Sequence, residues 1–558
     1  MSPRNISIWR RSSNKLRQSE VWLEYLCLIG LSAAAIALFL VNLSSLPLLD
    51  SHEATLAQVA KEIYQGGNFE RWIFPTLWNE PYLEKPPLVH SLVAIAYGIF
   101  GIGEFGTRFP GAFLGMISVL LLYQIGREIF VARLPALFSA LVYLTCLPVV
   151  RYSRLAALDG PLLCFELFTV WAVLRSRRNL QWAWIVGIGF SLMSLTNGLF
   201  GVQILAIVLL FLFWDTPRLL NSSYFWRGLL LGALPGFTWY AAQLNRNWLL
   251  KTHGGFWDLV LGRGTDLVFA KLSSSYYLLY SVQYILPWLM TAFAGVRLVR
   301  HNLHWGWGRL IAVWLGGYLT LGFFFFGQNY WLVLPLYPAL ALAAGKQLDH
   351  ICNLPSSIIY PRTWSYGFAA MAILAAVAGL NWGIRDYIDF YLPFICGSLF
   401  VTFSATAIVI AQQDKQFIPL LFWGLLVSIF LLVVSPHWIW ELKAVESVKP
   451  IAELVKLYTP ARSIVYGSTA TARPSLEFYS ERQIIPQSIS KLQQHWQQNP
   501  LVYLLLDAAV VKVIDLPQTA IVKDKRLESL GWTLAVKNSV SVLADSHYKS
   551  LPPTEDNR

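Results

Sequence analysis

The residues best suited to chemistry are concentrated between positions 50 and 87. Only 13% of the chain is charged, so a polar cluster of this density calls for an explanation. A carboxylate can accept a proton from an attacking group, and a lysine can hold a phosphate oxygen. The segment therefore predicts a polar site at the membrane surface, where a lipid headgroup can bind. Its ionisable members include Asp50, His52, Glu53, Glu62, Glu70, Glu80, Glu84 and Lys85.

Asp50 and Glu53 have two interpretations. The spacing Asp-x-x-Glu before an amphipathic helix resembles a capping box, with Asp50 as N-cap and Glu53 at the third helical position. Alternatively, one carboxylate is a general base whose partial burial raises its pKa. The two roles are compatible, because a cap also fixes the side chain. His52, on the same turn, is a weaker candidate for a base or a metal ligand.

Glu84 and Lys85 precede two prolines, Pro86 and Pro87, which stiffen the backbone. Lys85 is a point charge suited to a phosphate oxygen. The alternative is a lysine that reaches from apolar surroundings towards lipid headgroups.

A second polar group follows in the segment RYSRLAALD, residues 151–159. Arg151 and Arg154 could bind anionic lipid headgroups, or a sugar phosphate together with Asp159. Asp159 lies close to Pro161 and could equally cap a helix.

Composition indicates which elements carry these residues. The 558 residues are 56% hydrophobic with a mean hydropathy of +0.50, which indicates a polytopic helical membrane protein. The net charge of +12 comes from Lys and Arg in short loops, so cytoplasmic loops explain it better than a nucleic-acid partner does. No cysteine falls in a segment placed outside, so no external disulfide framework is expected.

The loop charges predict a topology. The apolar run from Val21 to Leu43 follows a basic N-terminus and is interpreted as a signal anchor, with residues 1–20 cytoplasmic. Leu56, Val59, Ala60 and Ile63 form one apolar helical face. That helix and the short run Leu88 to Phe100 should both lie in the interface.

About 13 spans of roughly 20 residues follow from this alternation. The predicted transmembrane domain covers residues 1–438, with a first outer loop at 44–108. Short strand-like and helical patterns from residue 439 predict a small soluble α/β domain, 439–558, on the extracytoplasmic side of the membrane.

Several strings together resemble the polyprenyl-phosphate-dependent membrane glycosyltransferases, the family of the aminoarabinose transferases and the dolichyl-phosphate-mannose protein mannosyltransferases. The similarity covers roughly residues 45–200 and is weaker at NYWLVLPLYPALALAAG (329–345) and in the C-terminal PSLEFY segment. The strings are AQVAKEI, YLEKPPL, FGIGEFGTRFPGA and RYSRLAALDGP.

This resemblance implies the GT-C fold and inverting transfer of a sugar from a polyprenyl-phosphate donor on the outer face. Asp50, Glu53 and Asp159 would be the catalytic carboxylates, and Lys85 with Glu84 would hold the donor phosphate. The other expected substrate-binding residues are Tyr82, Arg151, Arg154, Arg263 and Tyr330. Where family members carry two adjacent acids, this chain has His52-Glu53. A divalent metal ion is left open, with Glu84 and His52 as its candidate ligands.

A polytopic transporter or flippase for a lipid-linked or anionic substrate is the main alternative. A transport site would lie near the membrane midplane, whereas these charges cluster outside. A structural scaffold would leave the cluster unexplained. The expected partners are the lipid-linked donor, the bilayer and an acceptor that is a lipid, a glycan or a protein.

Overall fold

The computed structural model describes residues 3–50, 53–246, 285–325, 333–354, 362–385, 390–439, 448–461, 463–514, 516–517, 520–522, 524 and 531–537. The chain divides into two compact units. The first comprises residues 1–46 and 60–439, and the second comprises residues 47–59 and 440–558.

The first unit is built from helices and one hairpin with strands of two residues each. The first part of α2, residues 53–59, belongs to the second unit. Its strands β1 (Thr76–Leu77) and β2 (Glu80–Pro81) pair antiparallel. The helices before the first long gap are α1 (Pro3–Phe39), α2 (Glu53–Gln65), α3 (Phe69–Ile73), α4 (Leu88–Phe100), α5 (Glu104–Ile129), α6 (Arg133–Leu144), α7 (Leu147–Arg154), α8 (Asp159–Ser176), α9 (Ala183–Thr196), α10 (Gly198–Asp215), α11 (Pro217–Leu220) and α12 (Ser223–Arg246). Those after it are α13 (Leu289–His301), α14 (Gly306–Phe325), α15 (Leu336–Asn353), α16 (Thr363–Arg385), α17 (Tyr391–Ala411) and α18 (Phe417–Val434).

Five helices in the described residues are long and apolar enough to cross a membrane. They are Val21–Phe39 within α1, Glu104–Ile129, Trp364–Ile384, Tyr391–Ala411 and Phe417–Val434. The pair α6 and α7, bent by 59°, would add a sixth span. The chain is therefore a helical integral membrane protein, while the larger number of about 13 spans stays a prediction. Part of that prediction falls on residues 247–284 and 326–332, outside the described residues.

The helix α4 has the bounds that the sequence predicted. It begins at Leu88, directly after Pro86 and Pro87, and ends before Gly101, whose φ of 81° is in the left-handed region. Glycine adopts that conformation without a Cβ clash, so it stops the helix. With 13 residues, α4 is too short to cross a bilayer upright.

Glycines bring α5, α7 and the start of α8 into close contact. A Cβ at Gly160 would lie 2.9 Å from the Gly111 carbonyl oxygen and 2.9 Å from Ser153 Cα. A Cβ at Gly115 would likewise lie 2.5 Å from Ser153 Cβ. The packing therefore excludes larger residues here, and it fixes the position of Asp159 at the first turn of α8.

Ion pairs join helix ends that the loop charges placed on one side of the membrane. Each of three acids forms ion pairs with two arginines. The sets are Glu24 with Arg127 and Arg133, Glu128 with Arg175 and Arg178, and Asp215 with Arg177 and Arg309. The predicted alternation of inner and outer loops is consistent with these contacts.

The second unit is a small mixed sheet with helices. Its strands are β3 (Ile464–Gly467), β4 (Gln483–Pro486), β5 (Tyr503–Asp507) and β6 (Trp532–Val536), in the order β4-β3-β5-β6. The first three are parallel, and β6 is antiparallel to β5. The helices are α19 (Val448–Tyr458), α20 (Pro474–Ser480), α21 (Ile489–Gln498) and α22 (Ala508–Val511).

The residue range of this unit differs from that of the predicted domain at 439–558. It also contains Pro47–Val59, which the sequence assigned to the first outer loop alone. Leu48, Ala54 and Ala57 pack against Phe478 of α20. The predicted apolar face, formed by Leu56, Val59, Ala60 and Ile63, is also buried within the protein.

Candidate functional site

A buried carboxylate shapes the first outer loop of the first unit. Glu62 accepts hydrogen bonds from the Thr76 hydroxyl at 2.6 Å, from the backbone N–H of Trp78 at 2.6 Å and from that of Asn79 at 3.3 Å. Trp78 and Asn79 form the β1–β2 turn with φ values of 54° and 65°. Sequence reasoning did not assign Glu62 a role. The available signal was an acid adjacent to the apolar face of its helix.

The same loop is bound to the end of α12. Trp239 Nε1 donates to the Ile73 carbonyl at 2.8 Å, and Leu83 packs against the Trp239 ring. Arg246 forms an ion pair with Glu70. These contacts position the segment that leads into Glu84 and Lys85 beside a long helix.

Lys85 and Asp159 lie close enough to interact electrostatically, although they are far apart in sequence. Both side chains are half-buried, whereas Glu84 is exposed. Asp159 is the first residue of α8, which is not among the five described helices that are long and apolar enough to cross a membrane. Burial raises the pKa of Asp159 to about 7, and the nearby Lys85 charge opposes that rise. Burial lowers the pKa of Lys85, while Glu84 and Asp159 oppose this change.

Tyr82 and His90 pack next to this site. Their rings meet edge to face with centroids 5.2 Å apart, and His90 Nδ1 hydrogen-bonds to the Pro86 carbonyl at 3.2 Å. Burial lowers the pKa of His90 to about 4 and raises that of Tyr82, so both side chains are neutral at pH 7. His90 was not predicted as a site residue. It ties α4 to the stiff Pro-Pro turn.

Arg154 has a structural role that the sequence did not predict. Its guanidinium group is fully buried and donates to the carbonyls of Leu38 and Val41 at 2.9 and 2.8 Å. Arg108 donates to the carbonyls of Leu43 and Leu46, in the segment that follows α1, at 2.9 and 2.7 Å. A helix leaves its last four carbonyls without internal partners, and arginine donors satisfy them. Arg154 therefore caps the end of α1, and its predicted role in substrate binding stays a prediction.

Trp438 completes this cap. Its ring lies 4.5 Å from the Arg154 guanidinium carbon and 5.1 Å from that of Arg108. We call Arg108, Arg154 and Trp438 the α1 clamp. Arg151, one turn earlier on α7, is not part of it. Its guanidinium carbon lies 5.3 Å from the Tyr152 ring centroid, and the residue is 7% exposed.

The two first-loop acids belong to the second unit. Asp50 accepts from Arg473 Nε at 2.9 Å and from the Ser475 backbone N–H at 3.1 Å. Glu53 is buried and accepts from the Leu49 backbone N–H at 2.9 Å. A capping box would instead place the Glu53 carboxylate on the N–H of Asp50. The capping-box interpretation of Asp50 and Glu53 stays a prediction.

Sequence-predicted residues therefore separate into groups. Tyr82, Glu84 and Lys85 are close together in the first unit, and Asp159 is close to Lys85. His52, Arg263 and Tyr330 lie outside the described residues. Within the described ranges, no group of three or more His, Cys, Asp or Glu side chains could hold a metal ion.

Sequence comparisons find known proteins that are similar to this chain. The family model described as dolichyl-phosphate-mannose-protein mannosyltransferase matches residues 84–240, which include Lys85 and Asp159. Two similar curated proteins are undecaprenyl phosphate-α-4-amino-4-deoxy-L-arabinose arabinosyl transferases. One, from Pseudomonas fluorescens, is 28% identical over 56% of this chain and 57% of its own length. Another, from Pseudomonas aeruginosa, is 28% identical over 62% of this chain and 63% of its own length. The chain thus matches less than two thirds of either relative.

Solved structures share the fold. ArnT from Cupriavidus metallidurans, in a structure bound to undecaprenyl phosphate, has a TM-score of 0.71 at 16% identity, covering 91% of this chain and 97% of ArnT. The oligosaccharyltransferase AglB from Archaeoglobus fulgidus has a TM-score of 0.52 at 12% identity, covering 93% of this chain and 74% of AglB. The resemblance to the polyprenyl-phosphate-dependent membrane glycosyltransferases is therefore confirmed, by sequence over residues 84–240 and by fold over most of the chain.

Proposed function

We propose that this protein is an integral-membrane glycosyltransferase that moves a sugar from a polyprenyl-phosphate donor to an acceptor on the extracytoplasmic face, with inversion. The observation that carries the proposal is the pairing of a half-buried lysine, Lys85, with a half-buried carboxylate, Asp159, at the start of α8. A phosphate leaving group needs a cation, and an attacking acceptor needs a base. The names of the similar proteins support undecaprenyl phosphate as the donor lipid.

The proposed reaction is a single displacement. The acceptor hydroxyl or amine attacks the anomeric carbon, and the bond from that carbon to the phosphate oxygen breaks with its electron pair. Asp159 takes the acceptor proton, and Lys85 stabilises the charge that develops on the departing polyprenyl phosphate. One base is sufficient for inversion, whereas retention usually requires a second carboxylate nearby.

The choice of Asp159 as base rests on hydrogen bonding. Asp50 accepts hydrogen bonds from Arg473 and Ser475, so donors of the second unit already occupy both of its carboxylate oxygens. Glu53 is buried and accepts from the Leu49 N–H. Asp159 has a pKa of about 7 instead, close to the value at which a base is most efficient near neutral pH. We propose Asp50 and Glu53 as organising acids of the first loop.

The remaining substrate contacts are assigned by position. Tyr82 and Glu84 flank Lys85, and Arg151 is the arginine of α7 outside the α1 clamp. Arg263 and Tyr330 remain proposed donor ligands from the sequence. Aromatic side chains in the first loop suit sugar stacking, as well as the membrane interface.

A panel of radiolabelled polyprenyl-phosphate sugars tests the activity directly. Purified protein in proteoliposomes should release free polyprenyl phosphate and label a lipid, glycan or protein acceptor from the panel. Asp159→Asn should abolish both products in parallel. Movement of intact donor across the membrane without sugar transfer would contradict the proposal and favour the transporter or flippase.

We further propose about 13 spans, a cytoplasmic N-terminus and an extracytoplasmic C-terminal α/β domain. The support is the Lys and Arg distribution together with the ion pairs that join predicted inner loops. A cysteine introduced at Arg10 in intact cells should resist a membrane-impermeant thiol reagent, and one at Lys491 should react. Labelling at Arg10, with the reverse result at Lys491, would reverse the topology.

Lys85→Ala should lower turnover even at saturating donor. A charge-assisted contact contributes roughly 1.5–3 kcal/mol, or about 10- to 150-fold in rate. Because phosphate charge grows in the transition state, kcat should fall as well as donor affinity. Lys85→Arg should recover part of the rate, since it keeps the charge but changes the geometry. Two nearly silent variants in a donor titration would move the phosphate site to Arg151 or Arg263.

A further inference from the structure

The Asp50 carboxylate is held by residues from the far end of the chain. Its Oδ2 accepts from Arg473 Nε at 2.9 Å, and its Oδ1 accepts from both the backbone N–H and the hydroxyl of Ser475. Arg473 lies 423 residues after Asp50, and both belong to the second unit. An ionised carboxylate offers about four acceptor positions, so these three donors occupy most of them.

The chain around Arg473 is held in a fixed conformation. It follows β3, the strand that pairs in parallel with neighbours on both sides. The Thr471 hydroxyl donates to the Ser468 carbonyl at 2.6 Å, and the Arg473 N–H donates to the Thr471 carbonyl at 2.7 Å. A Cβ at Gly467 would lie 1.9 Å from the Thr471 hydroxyl oxygen, so this turn requires glycine. Pro474 then begins α20 with its φ already restricted.

Contacts on both sides of Asp50 fix the segment that carries it. The Leu48 N–H donates to the Tyr479 hydroxyl at 2.8 Å. Leu48, Ala54 and Ala57 are fully buried, and with Phe478 they form a small apolar cluster. The acid is therefore held by charge at its side chain and by packing before and after it.

We infer that Arg473 and Ser475 of the C-terminal domain are positioning residues for the first-loop acid Asp50. Arg473 fixes one carboxylate oxygen and Ser475 the other, so the two residues set both the location and the rotation of the group. A lysine at position 473 would supply charge without the planar geometry of a guanidinium group. The part of this inference that concerns turnover rests on the proposed glycosyltransferase activity, whereas the part that concerns the loop does not.

Two measurements on the full-length protein in nanodiscs test it. Hydrogen–deuterium exchange should report faster exchange of residues 47–59 in Arg473→Ala and Ser475→Ala than in the wild type. Steady-state assays should show about a tenfold loss of kcat in Arg473→Ala with donor KM within about twofold, because an Asp50 that is no longer held in place cannot organise the first loop. Arg473→Lys should recover part of both effects.

A double-mutant cycle with Asp50→Asn isolates the contact. If Arg473 acts through Asp50, adding Arg473→Ala to Asp50→Asn should cause little further loss of kcat. The control is the exposed pair Lys456 and Glu481 of the same unit, whose side chains are 50% and 47% exposed. Lys456→Ala and Glu481→Gln should leave exchange and kcat unchanged.

Additive losses in the cycle, or unchanged exchange at residues 47–59 in Arg473→Ala, would overturn the inference. If even the wild type transfers no sugar from any donor, the proposed function fails. The exchange experiment still decides whether Arg473 and Ser475 hold Asp50.

Discussion

Asp159→Asn is expected to abolish sugar transfer while the protein still inserts and folds. General base catalysis contributes about 10²- to 10⁴-fold, and Asn has the size of Asp but cannot take a proton. Asp159 is half-buried at the first turn of α8, where glycines fix the backbone. A loss of at least about 10²-fold in kcat, with normal yield and donor binding, is the expected result in the proteoliposome assay.

The pH profile should identify the same group. The pKa of Asp159 is raised from its ordinary value of 3.8 to about 7, so its base form is lost as pH falls through 7. The value of kcat/KM should thus be constant above about pH 8 and fall roughly tenfold per pH unit below about pH 6. Lys85→Met removes a charge that favours the carboxylate, so this limb should move to higher pH.

Glu166→Gln is the matched control because it changes a second buried acid of α8. Glu166 accepts a hydrogen bond from Trp314 Nε1 at 2.8 Å, which glutamine can also accept through its side-chain oxygen. Transfer should therefore persist in this variant. Full turnover in Asp159→Asn would exclude Asp159 as the base and return Asp50 and Glu53 to that role.

Several local features around the candidate site could be predicted, because neighbouring residues in the sequence determine them. The prolines and glycine around α4 gave its bounds, and the position of Lys85 before Pro86 gave a fixed cation. The loop charges predicted that the segments of Lys85 and Asp159 lie on one face of the membrane, but not that the two side chains are close together. Each of these inferences needed only the neighbouring residues or the membrane as a reference.

The partners of Asp50 could not be predicted in the same way. Arg473 and Ser475 lie in a segment that showed no phosphate loop or metal spacing, and nothing in a single sequence pairs them with residue 50. The buried roles of Glu62 and His90 were missed for a related reason. Most of their hydrogen-bond partners are backbone groups of turns. Every residue has such groups, so the sequence does not show which of them will be partners.

Arg154 is the clearest example of a contact that the sequence alone does not reveal. Sequence reasoning treated Arg151 and Arg154 alike, as cations one turn apart that could bind phosphate. The structure separates them by what their guanidinium groups contact. Arg154 satisfies the carbonyls at the end of α1, while Arg151 stays outside the α1 clamp. Periodicity places both on one short helix but does not reveal where α1 ends against it.

Arg154→Met is accordingly expected to destabilise the protein severely. The substitution leaves the carbonyls of Leu38, Phe39 and Val41 without the donors they now have, in a buried setting. Each buried polar group left unsatisfied costs about 1–3 kcal/mol, so the total should reach the exceptional range above about 4 kcal/mol. The folded fraction that remains after heating in detergent, measured by gel filtration, should fall at a much lower temperature than in the wild type.

Arg178→Met is the control for a lost arginine at an exposed position. Its partner is Glu128, and its side chain is 68% exposed, so its loss should change stability by only about 0–1 kcal/mol. Arg151→Met provides the opposite comparison, because it should weaken donor binding with a smaller loss of stability. If Arg154→Met instead unfolds at the wild-type temperature but binds donor weakly, Arg154 contacts the phosphate. The end of α1 would then be held by Arg108 and Trp438 without it.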